Sequence, residues 1–247
     1  MIGIVGATAL VAGLLVGVTG IGGVLLVPVL TGVAGLPLER AVAACMLGFL
    51  FAGLYAAFIH LRRARLPARP VAVLCLMAAA GAALGAATLD WLPGTGVRLF
   101  VAALALGSGL HALLARPVGG ERMPDAGLLA ILGLLVGYGS AISGTGGPVM
   151  LIPILLALRT PVAGAIALGV TAGLPITAAA AAVYAMQGRI DVTLALTLAV
   201  LLIAGTWAGA KLSTRLSGRM LTAAVAWTLV GVGLWFGYAN LAGGFPI

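Results

Sequence analysis

Gly17-Val-Thr-Gly-Ile-Gly-Gly-Val-Leu-Leu-Val-Pro28 sets a pattern that returns as Ile142-Ser-Gly-Thr-Gly-Gly-Pro-Val-Met-Leu-Ile-Pro153. In each copy an apolar run stops at a hydroxyl residue, Thr19 or Ser143, and Gly-x-Gly-Gly follows. A second, shorter apolar run then begins and reaches a proline. Glycine inside a helix costs about 1 kcal/mol relative to alanine. Glycines this dense within a hydrophobic run predict a helix broken at that point.

The rest of the chain says what medium surrounds the breaks. Of 247 residues, 63% are hydrophobic and 7% charged, with a mean hydropathy of +1.26. A soluble domain carries roughly 25% charged residues, so this composition excludes one. Several apolar runs approach or exceed the roughly 20 residues that cross a bilayer as helix. Barrel strands would alternate polar and apolar positions, and that alternation is absent. The expectation is an all-α polytopic protein of the bacterial inner membrane, with residues 3–19 as a retained segment. The net charge of +8 sits in short loops, where it orients the chain and meets anionic lipid. It does not point to nucleic acid. Cys45 and Cys75 stand alone in apolar runs, without metal-ligand or disulfide spacing.

Further apolar runs cover 24–30, 41–61, 71–92 and 99–114, then 126–142, 149–158, 162–186, 192–210 and 220–236. A shift of 124 residues carries Gly20, Gly22 and Gly23 onto Gly144, Gly146 and Gly147. It also pairs Pro37 with Pro161, Arg65 with Arg189, Gly81 with Gly205 and Gly85 with Gly209. We therefore expect an N-terminal repeat over 1–116, a polar linker over 117–125 and a C-terminal repeat over 126–247 in one integrated transmembrane domain. Charge then sets their relation. The loop after the long run 41–61 holds Arg62, Arg63, Arg65 and Arg69, whereas its counterpart, Gly188-Arg-Ile-Asp191, is weakly charged. After the next run the order reverses, with Lys211, Arg215 and Arg219 in the second half. Positive loops face the cytoplasm, so corresponding loops fall on opposite sides and the repeats are inverted. Each would combine a glycine-broken or re-entrant hairpin with about three transmembrane helices. Whether the first two segments span or re-enter stays open, and four segments per half would instead give parallel repeats.

Interrupted helices in inverted halves are where secondary transporters place substrate. Unwound backbone is tolerated in hydrocarbon only where protein buries it or water reaches it. A helix beginning near Gly23 or Gly147 presents free N–H groups and a positive dipole end, and glycine lets an anion come close. The candidate site comprises Thr19, Gly20, Gly22, Gly23, Ser143, Gly144, Thr145, Gly146 and Gly147. The bland reading, close helix packing through small residues, suits Gly81/Gly85 and Gly205/Gly209 better.

The paired motifs Thr19-Gly-Ile-Gly-Gly…Pro28 and Ser143-Gly-Thr-Gly-Gly…Pro153 resemble those of the sulfite exporter TauE/SafE family of membrane permeases. Ala165-Ile-Ala-Leu-Gly-Val-Thr-Ala172 is similar to that family's small-residue stretch with a threonine after the second motif, and the resemblance implies that Thr171 lies near the substrate site. The resemblance spans nearly the whole chain. It implies transport, as export, of sulfite, a sulfonate or a related organosulfur acid. Val24 and Pro148 stand where the family often has a third glycine, and Leu47 is the first-half counterpart of Thr171.

Other polar residues read more simply. His60 and His111 end apolar runs as interfacial histidines, and Asp90 faces headgroups or caps a turn. Arg159 is a loop charge or an anion attractor, and Lys211 snorkels. No carboxylate lies mid-segment, which leaves sodium coupling through carboxylates unsupported. No acid–base pair, nucleophile–base pair or metal cluster suggests an enzyme, a metal or a cofactor. An anion channel and a non-transporting subunit of a membrane complex stay open as alternatives, as does homo-oligomerisation.

Overall fold

The computed structural model describes residues 2–61, 67–114 and 124–212, with scattered positions between 227 and 238. Helices α1 (Ile2–Thr19), α2 (Leu26–Gly32), α3 (Leu38–Leu61), α4 (Ala68–Thr88) and α5 (Gly94–Leu114) come first. They are followed by α6 (Ala126–Ser143), α7 (Pro148–Ala157), α8 (Val162–Met186) and α9 (Val192–Leu212). There is no strand among the described residues. The fold is all-α and membrane-type, with α3, α4, α6, α8 and α9 each long and apolar enough to cross a bilayer. The side chains of His60 and His111, most of the basic loop after α3, the linker core and most of 220–236 lie outside the described residues.

Local chemistry sets the helix ends. Pro37, Pro67, Pro93 and Pro161 each stand one residue before a helix. There a missing N–H costs nothing, because the first N–H groups have no intrahelical partner. Asp125 and Asp191 cap α6 and α9, accepting from the N–H of Leu128 at 2.8 Å and of Leu194 at 3.0 Å. The glycine motifs break the chain as the sequence predicts. Gly144 is left-handed at φ 71°, closes α6 and donates to the Ser140 carbonyl. Gly146 and Gly147, at φ 78° and 104°, carry the chain into α7, with Pro148 at its first position. In the first copy Gly20 turns at φ 76°, and a 3-10 turn over Gly23–Leu25 leads into α2. Neither proline at the far end of the motif stops its helix. Pro28 is the third residue of α2, where no N–H is needed, and α7 continues past Pro153 to Ala157.

Two seams hold the bundle. In the first, α4 lies along α6: Gly81 meets the Leu134 carbonyl, Gly85 that of Tyr138, and Gly137 that of Ala78. In the second, α1 lies along α9: Gly205 meets the Leu10 carbonyl, Gly209 that of Leu14, and Gly13 that of Leu202. A Cβ at any of these six glycines would collide with backbone. They bring helices together at backbone distance, the packing available where water supplies no driving force. Adding 124 to each residue of one seam, or subtracting it, yields the other: Gly81–Leu134 becomes Gly205–Leu10.

The same contacts give helix directions. Leu74 and Ala78 of α4 meet Gly133 and Gly137 of α6, so those two helices run parallel. The match of Gly13 and Gly17 to Leu202 and Thr206 makes α1 and α9 parallel too. Cys75 donates to the Thr171 carbonyl at 3.9 Å, and Asp90, just past α4, pairs with Arg189, just past α8. Thus α4 and α8 also run parallel. The bond to Asp90 also raises the already high pKa of the Arg189 guanidinium, so Arg189 is charged at any physiological pH. Asp90 therefore ties the ends of α4 and α8 together.

Candidate functional site

Both glycine breaks are buried, and they touch. Gly23 lies against the Thr145 carbonyl so closely that a Cβ would collide with it. Gly20, Gly22, Gly23, Gly144, Gly146 and Gly147 are all buried. Between the breaks is a small cavity of about 30 Å³, room for about two waters. Gly20 and Gly23 line it from the first break, and Thr145, Gly146 and Pro148 from the second. Helix α3 contributes Phe49, Gly53 and Ala56; α8 contributes Val170, Gly173 and Thr177; α1 contributes Val16.

The glycines serve different ends. Gly146 leaves room for a methyl in ordinary contact: an added Cβ would sit 3.6 Å from Phe49 Cβ and 3.6 Å from Thr177 Cγ2. Gly147 is tighter, with Ile176 Cδ1 at 2.8 Å from the same imagined atom. Gly22 would strike the Ala12 carbonyl and Gly144 the Val27 side chain. Gly22 and Gly144 therefore hold the fold together, while Gly146 borders the cavity.

Polar groups around the cavity are few. Among the described residues no group accepts from the N–H of Gly146 or Gly147. These two donors stand beside the N-terminus of α7, where the helix dipole is positive. The hydroxyls are more committed. Ser143 donates to the Gly139 carbonyl at 2.7 Å and lies 2.9 Å from the Thr145 hydroxyl. Thr177 donates to the Gly173 carbonyl at 2.8 Å, and Thr171 to that of Ala167 at 2.6 Å. Each of these threonines thus spends its proton inside its own helix. Thr171 is not among the cavity-lining residues. The side chain of Thr19 lies outside the described residues. Arg159 is exposed and left-handed at φ 59°, beyond the end of α7.

Sequence reading had no purchase on Phe49, Gly53 and Thr177. One signal was available: the shift of 124 pairs Phe49 with Gly173 and Gly53 with Thr177, and all four line the cavity. Helical spacing gives another, because Gly173 and Thr177 are four apart, as are Phe49 and Gly53.

Long apolar helices around two buried, glycine-broken turns define a polytopic helical membrane protein. The chain belongs to the sulfite exporter TauE/SafE family, whose model matches residues 5–236. The family places it among membrane transporters of sulfite or related anions. No curated protein and no solved structure matches it.

Proposed function

We propose that this protein is a secondary transporter that exports a small sulfur-containing anion, sulfite or an organosulfonate, across a bacterial inner membrane. The anion binds between the two glycine breaks. The observation that carries this reading is the cavity where the breaks meet, lined by Gly146 and Pro148 at the start of α7, with the N–H groups of Gly146 and Gly147 close by. Main-chain donors at a positive dipole end stabilise a negative charge without a buried arginine. A loaded oxyanion needs more room than two waters occupy, so the lining parts to admit it.

The halves 1–116 and 126–247, joined by 117–125, act as two inverted repeats. The helix directions support this. Helices α3 and α4 are joined by a short loop, as are α8 and α9; with α4 parallel to α8, α3 is antiparallel to its counterpart α8, and α4 to α9. Rocking of one half against the other would then open the cavity to each side in turn.

Purified protein reconstituted into vesicles tests the reading with labelled sulfite, thiosulfate and small sulfonates. Saturable flux of at least one of them supports a carrier. Flux equal to that of protein-free vesicles for every anion refutes transport, and flux that never saturates replaces the carrier with a channel.

A further inference from the structure

Resting on that site, we infer that Phe49 sets the length of the organic tail that the bound anion is allowed. The two long central helices, α3 and α8, face the cavity with equivalent positions under the 124-residue shift. Their side chains are not equivalent. The helices run antiparallel, so Phe49 of α3 and Thr177 of α8 stand together, each 3.6 Å from where a Gly146 Cβ would be, while the counterpart of Phe49 under the shift is Gly173 and that of Gly53 is Thr177. A repeat-symmetric cavity would have two like lobes. Here one half contributes a benzyl group where the equivalent position of the other half has no side chain.

Phe49 is 6% exposed. Its Cβ and Cγ stand 3.6 and 3.7 Å from where a Gly146 Cβ would be, so the side chain begins at the second glycine break itself. The other walls, Val16, Ala56 and Val170, are aliphatic. An anion whose charged end takes the Gly146 and Gly147 N–H groups must put any tail among these apolar groups, and Phe49 is the largest of them. Phe49 is here a specificity-determining residue. The charge is held by backbone that its side chain does not supply.

The test uses unbranched alkanesulfonates from methane- to hexanesulfonate, with full-length protein in nanodiscs and binding read by calorimetry. Each buried methylene tightens binding roughly fourfold until the tail meets a wall. The wild-type protein is expected to reach that limit at a short tail. Phe49→Ala should move the tightest-binding member at least two carbons longer. Gly53→Ala adds a methyl in ordinary contact, 3.4 Å from Leu174 Cδ2, and should move the optimum shorter. It keeps the proposal testable should Phe49→Ala not fold. Unchanged chain-length profiles in both variants would overturn the role of Phe49; if Gly147→Leu still abolished binding, the site itself would stand. Failure of the wild-type protein to bind any member overturns this inference, and sulfite flux in vesicles would then show whether transport survives without it.

Discussion

Replacing Gly146 by alanine separates the proposed site from the architecture that surrounds it. Gly146 sits at φ 78°, where a residue with a Cβ pays about 1–2 kcal/mol. The new methyl meets only ordinary contacts, 3.6 Å from Phe49 and Thr177, so no overpacking cost adds to the backbone term. Against a total stability of order 5–15 kcal/mol, Gly146→Ala stays folded. Its methyl, about as large as a water, stands in a cavity that holds about two. Gly188→Ala is the matched control. Gly188 is also left-handed, at φ 68°, but lies in the loop after α8 with nothing within 4 Å of an added Cβ. Both variants are expected to unfold at similar temperatures in detergent, slightly below the parent. Vesicle uptake should fall at least tenfold, about 1.4 kcal/mol, in Gly146→Ala and remain near the parent rate in Gly188→Ala. Equal uptake by the two variants would refute the placement of substrate beside Gly146.

Thr171→Val should leave uptake within about twofold of the parent, because Thr171 donates to its own helix and does not line the cavity; saturation kinetics check this. At the α4–α6 seam, Gly137→Leu would drive a side chain into the Ala78 carbonyl. It should cost at least the 1–3 kcal/mol typical of overpacking, read as lost monodisperse protein on gel filtration. Single cysteines placed at Arg69 and Gly188, in a background lacking Cys45 and Cys75, should react with impermeant maleimide from opposite faces of the membrane. Labelling from the same face would sink the inverted arrangement.

Much of the architecture was readable before any coordinates. Composition fixes a helical membrane protein because so few charges cannot keep a chain of this hydropathy in water. The two breaks announce themselves through glycines that a hydrophobic helix would not otherwise carry. The paired Gly81/Gly85 and Gly205/Gly209 read correctly as packing positions, although their partners on α6 and α1 lie far away in sequence. Gly22 was grouped with the site, yet its contact with the Ala12 carbonyl gives it a structural task. Only three-dimensional placement separates a glycine needed for close approach from one that borders a cavity.

Thr171 and Thr177 show where sequence stops and tertiary structure takes over. Both sit in α8, six residues apart, about 120° around the helix from each other. The family resemblance points to Thr171, but it is Thr177 that lines the cavity. A helix that is apolar all round carries no periodic signal to say which face turns inward. Its rotation is set by what it packs against, here α3, α4 and the second glycine break. Phe49 and Gly53 were hidden for the same reason, as was the meeting of Gly23 with Thr145. The sequence alone determined the medium, the helices and the two places where helix gives way. Which side chains gather around the breaks depends on contacts between residues far apart in the chain, and only the packed bundle decides them.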